Sequence, residues 1–391
     1  METPSVFPNR RLLALVALLP AFFLRPLSLA AETAAAPPGP PSAQAEPAAA
    51  QAEPAAAPAL AAPGAFGLSA FVDPLLPPSA SLRAHWAEFD RIYLLRYRLS
   101  AEPATPTASL RLLRAPERLD PAWASLLRQP GPQVLAVLSN RASAAWDDRD
   151  ANAALLLLGD PGQGSRAGTD LLAMARADGF TGVAVDLASA HTELAQGYAA
   201  WLSALRRQGE AQGVLVSPAL YPRCVGCPLD PANSGMQDAP ALAAAGGPLL
   251  VFMMPPNPLG ALKPRPAGKQ DLFSGTVAYW RQCGLLGRSH CALILGGETW
   301  TLGGPYGRLD WDAWQRLQAE TETSRTILQA DGRMICSLRH GGAVFYGAEA
   351  NLHTLTKIKD AGFAGACLVG VGNEDPGFWE RLADFEAGRQ N

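Results

Sequence analysis

The sequence predicts an α/β chain folded as a (β/α)8 barrel, and three observations carry that prediction. Eight short, apolar, β-rich runs recur along the chain, and stretches of helical periodicity separate them. Eight such units fit within roughly 320 residues, the usual span of a closed barrel. The alternative, an open doubly wound sheet, is weakened because no Gly-x-Gly-x-x-Gly follows the first strand.

The first 64 of 391 residues stand apart from this pattern. Arg10-Arg11 precedes an apolar run over 12–24, followed by the small-x-small site Ser28-Leu29-Ala30. These are the three parts of a secretory signal peptide at 1–30, and the run is short for a membrane span. Residues 31–64 hold 24 Ala or Pro among 34, including a heptad repeated from Ala43 and Ala50. Such a segment cannot bury enough apolar surface to offset its ordering entropy, so a disordered Ala/Pro linker is expected there. The barrel is then expected over 65–391 of an exported chain, periplasmic or secreted.

The expected barrel strands are 68–73, 91–99, 133–140, 182–187, 214–220, 249–254, 292–297 and 365–371. Helices are expected at 81–89, 169–177, 192–212, 270–283, 352–361 and 376–385. In the last of these Asp375 is placed as N-cap with Pro376 at N1. The stretch 324–349 breaks the alternation, with β-rich runs around a turn, and is read as a small β insertion before the last helix-strand unit.

The net charge is -3, with no block of basic residues, which argues against nucleic acid as a partner. All six Cys follow residue 223, as suits an exported chain that forms disulfides. Cys224 and Cys227 are a candidate local disulfide; Cys283 with Cys291 and Cys336 with Cys367 are further candidate pairs. Neither a second Cys-x-x-Cys nor a His-x3-His follows with zinc spacing, so no metal is expected, and no cofactor motif is present.

A barrel presents its chemistry at the C-terminal ends of its strands. Those positions hold Asp73, Arg96, Tyr97, Asn140, Asp186, Tyr221, Met253, Met254, Glu298, Trp300, Asn373 and Glu374. Asp186 stands out as the lone carboxylate ending an apolar strand, for which a structural, hydrogen-bonded Asp is the plain alternative. Tyr97, Asn140, Tyr221 and Trp300 are the candidate substrate-binding residues, the aromatic ones as faces on which a sugar can stack.

Gly179-Phe-Thr-Gly-Val-Ala-Val-Asp186-Leu-Ala188 resembles the fourth-strand signature of glycoside hydrolase family 18, in its spore-cortex-lytic and chitinase-like branch. There the pattern runs Gly-(Phe/Tyr)-Asp-Gly-Val-x-(Ile/Val)-Asp-(Phe/Trp)-Glu. Asp90-Arg-Ile-Tyr-Leu-Leu and Gln212-Gly-Val-Leu-Val-Ser-Pro are similar to its second and fifth strands. Ala350-Asn-Leu-His-Thr-Leu-Thr-Lys357 and Gly365-Ala-Cys-Leu-Val-Gly-Val-Gly-Asn-Glu374-Asp375 resemble its last helix, eighth strand and cap, so the resemblance spans about 67–385.

The resemblance implies substrate-assisted hydrolysis. A Glu protonates the glycosidic oxygen, and an Asp two residues earlier orients the attacking acetamide. Here the Asp is Asp186, but the Glu position is Ala188, and a methyl group has no proton to give. A general acid contributes about 10²- to 10⁴-fold to such a reaction. The first Asp of the pattern is Thr181, the sixth strand reads Met253-Met254-Pro255-Pro256 where the family holds the acetamide, and Val369 replaces the Trp that floors the sugar.

The expectation is therefore a degenerate centre in a barrel that binds an amino-sugar glycan, whether peptidoglycan, chitin-like polymer or exopolysaccharide, or that serves as an envelope scaffold with a protein partner. Two alternatives stand beside it. One is an active glycosidase pairing Asp186 with a relocated acid, of which Glu298 is the best candidate ahead of Glu193 and Glu374; the other is a structural interaction protein with no saccharide ligand.

Overall fold

The structure, a computed structural model, describes residues 66–102, 108–142, 149–223, 235–244, 249–251, 272–301, 307–320, 327–328, 333–338 and 341–387. The expected signal peptide, the linker and the pair Cys224 and Cys227 lie outside these residues, as do Met253 to Pro256.

In chain order, β1 (Gly67–Val72) and α1 (Ala80–Ala84) lead into β2 (Arg91–Glu102) and β3 (Ser109–Arg114). Then come α2 (Pro121–Leu126), β4 (Gln133–Ser139), α3 (Ala151–Gly159), α4 (Pro161–Ala177) and β5 (Gly182–Asp186). They are followed by α5 (Ala195–Ala211), β6 (Leu215–Leu220), α6 (Ala239–Ala244), β7 (Leu249–Val251), α7 (Leu272–Gln282) and β8 (Ser289–Ile294). The second sheet takes β9 (Gly296–Thr301), β10 (Gly307–Leu309), α8 (Trp311–Glu320), β11 (Ile327–Leu328), β12 (Arg333–Leu338) and β13 (Gly341–Tyr346). The chain closes with α9 (Ala348–Ala361), β14 (Gly365–Val369) and α10 (Phe378–Glu386).

Among these residues, β1, β2, β4, β5, β6, β7, β8 and β14 pair in parallel, and β1 bonds both β2 and β14, so the ring of eight closes. The (β/α)8 barrel is thus present, and period-2 alternation divides its side chains between two cores. Outward residues such as Ile92, Leu94, Val183, Val185 and Leu368 pack under Leu171, Leu172, Leu202, Leu205 and Ile358 of the helices. Inward residues such as Phe71, Tyr93, Leu135, Val137 and Ile294 fill the interior, where Ala184, Ala188, Ala219 and Ala292 supply only methyl groups.

Helix ends follow local chemistry. Asp150 caps α3 through the Ala153 N–H (2.9 Å), and Asp160 caps α4 through Gly162 and Gln163 (2.9 and 3.1 Å) with Pro161 at its first position. Gly362, at φ +93°, ends α9 in a left-handed turn. Asp375 acts differently from expectation. The last helix begins at Phe378 behind Gly377, while the Asp375 carboxylate accepts from the Ala348 N–H at the start of α9 and from the Gly377 N–H at 2.9 Å.

Two elements depart from the sequence reading. β3, which was not expected, pairs antiparallel with the extended end of β2. The insertion is also larger than 324–349: β9 to β13 form a five-stranded antiparallel sheet in the order β10-β9-β13-β12-β11, with its own small core of Trp314, Cys336, Ala343 and Phe345. The run 292–297, expected as one strand, is broken at Gly296. Its φ of +89° suits glycine, and a Cβ there would lie 2.5 Å from the Leu309 carbonyl oxygen. Barrel strand β8 ends before it, and β9 starts the second sheet.

That division also corrects the cysteine pairings. Cys283, Cys291, Cys336 and Cys367 are free. Cys336 lies in the core of the second sheet and Cys367 in the barrel interior, so that expected pair belongs to different packing units; Cys283 and Cys291 both pack in the helix layer, unbonded.

At the N-terminal end of the barrel, His290 of β8 is buried with its Nδ1 at 3.0 Å from the Ser69 hydroxyl, which itself donates to the Ala366 carbonyl at 3.1 Å. Burial first, and the nearby Arg91 cation second, pull the His290 pKa down to about 4. The buried Cys367 thiol is pushed up to about 12, chiefly by desolvation, and stays protonated.

Candidate functional site

β4 and β5 are in register with Ser139 opposite Asp186, which sets both side chains at the C-terminal mouth of the barrel. Asp186 is fully buried. Its Oδ2 accepts from the Ser139 hydroxyl at 3.0 Å, from Arg141 at 3.3 Å and from Arg149 at 3.3 Å; its Oδ1 accepts from Arg149 at 3.3 Å and from the Tyr221 hydroxyl at 3.2 Å. Two guanidinium groups and two hydroxyls therefore converge on one carboxylate.

The arginines come from one connection. Arg141 follows β4 and Arg149 precedes α3, and an antiparallel β-bridge joins their backbones. The Arg141 guanidinium lies 5.7 Å from the centroid of Phe71, and that of Arg149 lies 5.1 Å from the centroid of Tyr221. Their side chains are only 7% and 5% exposed. Desolvation is the largest influence on both and lowers their pKa values, and the Asp186 charge opposes it. The methyl-lined interior at Ala184, Ala188 and Ala219 leaves room for these two long side chains.

Asn140 is committed to the scaffold. Its Nδ2 donates to the Ala188 carbonyl at 2.8 Å and to the Asp150 carbonyl at 3.1 Å, and its Oδ1 accepts from the Ala188 N–H at 3.0 Å. One amide thus stitches the ends of β4 and β5 to the start of α3. Asn140→Ala should cost about 1–3 kcal/mol in urea denaturation, since buried backbone groups of Ala188 and Asp150 lose their partner.

The structure brings Asp186, Asn140 and Tyr221 together, turns Tyr97 into the helix layer, and carries Glu298 and Trp300 on β9. Tyr97 is buried in the layer between sheet and helices: its hydroxyl donates to Asp178 at 3.0 Å, and its ring meets Phe180 edge-on. The cause is a bulge between Leu95 and Tyr97, which reverses the strand's alternation and turns Tyr97 away from the interior. Burial, reinforced by the Asp178 charge, raises its pKa. Glu298 is fully buried in β9 of the second sheet, opposite Arg308 and Val344, and Trp300 follows it on that strand opposite Gly342.

The remaining carboxylates are engaged locally. Glu374 accepts from the Gly372 N–H at 2.6 Å, from the Trp379 indole at 2.8 Å and from the Ser81 hydroxyl. Glu193 pairs with His191 at 2.8 Å on the surface. Asp73 closes a turn through the Leu75 N–H at 3.0 Å. Arg141 and Arg149 are the site residues that sequence reasoning missed. The sequence carries them only as two arginines in the connection after an apolar strand, among many arginines along the chain.

No known family pattern and no curated protein matches the chain. Solved structures do match its fold. A chitinase from Chromobacterium violaceum superposes with a TM-score of 0.66 at 19% identity, over 84% of this chain and 100% of that one. A class V chitinase from Pseudomonas fluorescens gives 0.66 at 16%, over 82% and 99%. The spore cortex-lytic enzyme of Bacillus megaterium gives 0.64 at 14%, over 82% and 74%. The barrel is therefore of the kind found in glycoside hydrolase family 18 chitinases and cortex-lytic enzymes.

Proposed function

We propose that this chain is an exported, non-catalytic member of that structural class, a barrel that binds an amino-sugar glycan of the cell envelope and is carried on the linker at 31–64. The observation that carries the reading is the state of Asp186 and Ala188. Two arginines and two hydroxyls hold the Asp186 carboxylate, and Asn140 takes up the backbone at the position where the resemblance expects a general acid. The bonds to Ser139, Arg141, Arg149 and Tyr221 occupy both oxygens of that carboxylate. The alternative pairs Asp186 with Glu298, a carboxylate fully buried in β9 of the second sheet, and the hydrolysis assay below separates the two readings.

The saccharide reading over a purely structural role rests on the aromatic rings of Phe71 and Tyr221 beside the polar group around Asp186. A further structural neighbour, the Cycas revoluta family 18 chitinase, is known in complex with (GlcNAc)4, which supports an amino-sugar chain as the ligand type. Incubation of the purified protein with chitin oligomers and peptidoglycan should release no reducing ends, while a bound oligomer should raise the Tm. Reducing-end release that Asp186→Asn abolishes would overturn the non-catalytic reading.

A further inference from the structure

At the end of the barrel away from Asp186, we infer a binding site for a monatomic anion of the halide class, held between the Arg91 guanidinium and the Tyr93 hydroxyl. The site owes nothing to the glycan reading. Tyr93 lies in the interior core, and Arg91, two residues earlier on β2, shares its face. The same period turns Ser217 inward on β6, two residues before Ala219, and Ser69 inward on β1, two before Phe71; Cys367 joins them from β14. Hydrogen-bond donors thus line this end of the interior, where barrels ordinarily stack branched apolar side chains.

Two observations point to an anion among these donors. The Tyr93 hydroxyl is fully buried and completes no hydrogen bond, although Arg91 and Ser217 are its polar neighbours. Such a hydroxyl is costly to bury unless it finds an acceptor. Arg91, for its part, takes no share in the ion pairs of Glu102, Asp178, Asp186 and Glu210, and its Nε reaches only the Gln133 side-chain oxygen at a long 3.5 Å. Asp90, beside it in the chain, faces solvent and accepts from the Leu68 N–H at 2.9 Å. His290 and Cys367, buried groups that feel the Arg91 charge, are kept neutral at neutral pH chiefly by desolvation and supply no negative charge. An anion against both groups accepts from the hydroxyl and offsets the cation at once. A water molecule answers the hydroxyl but leaves the cation unmatched. Burial sets the size of the ligand: Tyr93 is closed to solvent and Arg91 is 6% exposed, so an ion with one acceptor atom suits the site, whereas a polyatomic anion would bury oxygens without donors.

The test uses the full-length protein and two variants, Arg91→Met, which removes the charge, and Tyr93→Phe, which deletes one oxygen. Exchanging gluconate for chloride at constant ionic strength should raise the Tm of the unaltered chain by about 2 °C more than that of either variant, because a bound ion stabilises only the chain that holds it. Comparison with the variants cancels the general effect of the salt on the protein surface. Crystals of the unaltered chain grown in bromide should show an anomalous peak between Arg91 and Tyr93. An equal response of all three chains to chloride would overturn the site, as would a water without anomalous signal on the Tyr93 hydroxyl. If Arg91→Met does not fold, Tyr93→Phe alone serves as the comparison.

Discussion

Asp186→Ala should cost about 3–5 kcal/mol of folding stability, measured by denaturant unfolding, because it removes the buried carboxylate that two buried cations share. Loss of the side chain's packing is a small part of this. The larger part is the desolvation of Arg141 and Arg149, no longer offset by the charge between them, and the hydroxyls of Ser139 and Tyr221 lose an acceptor as well. The triple replacement Asp186→Leu, Arg141→Met, Arg149→Met should recover most of that loss, since a buried ionic group replaced whole by apolar side chains is often neutral or stabilising. A triple variant as unstable as Asp186→Ala would mean that the ionic cluster itself holds the barrel mouth together.

The second large effect is a pH dependence centred on His290. Its pKa lies near 4 in the folded chain against 6.5 ordinarily, so between those values the unfolded chain binds the proton first. Stability contributed by neutral His290 is complete above about pH 6.5, falls as the pH drops towards 4, and changes no further below that. The depth of the loss is roughly 3 kcal/mol, from about 1.4 kcal/mol per pKa unit. The ring faces Ser69 and the Arg91 charge, with Gly67 and Gly365 crowding it and the Asp90 carboxylate on the far side of Gly67; desolvation remains the largest influence against a protonated imidazole. His290→Gln should remove this component of the slope between pH 4 and 6.5. The slope is the readout because it separates proton linkage from any packing penalty of the substitution; an unchanged slope would assign the acid sensitivity to other groups.

The barrel was readable in the sequence because buried parallel strands are short apolar runs, and β1, β4, β5 and β14 stand out as such. β3 was not, since Arg111 and Arg114 and partial exposure give Ser109–Arg114 the look of a loop; its order comes from pairing with β2. The second sheet was under-read because only Leu295 separates β8 from β9, and two strands in different sheets merge into one apolar run. Of the candidate site, Asp186 was legible as a carboxylate ending such a run. The facing of Tyr97 was not, because a bulge leaves no mark in hydrophobicity. Nor were Arg141 and Arg149, because arginine is common along the chain and nothing local distinguishes a buried one from a solvated one.

The second sheet joins the barrel through Leu295 on entry and Gly347 on exit, and its first and last strand residues, Gly296 and Tyr346, are cross-strand partners. The two ends of the insertion therefore lie side by side, like the terminals of a plug. A module attached in this way, with its own apolar core, can be lost, lengthened or exchanged without re-routing a single barrel strand. Variation at this face of the molecule is thus mechanically independent of the closed ring beneath it.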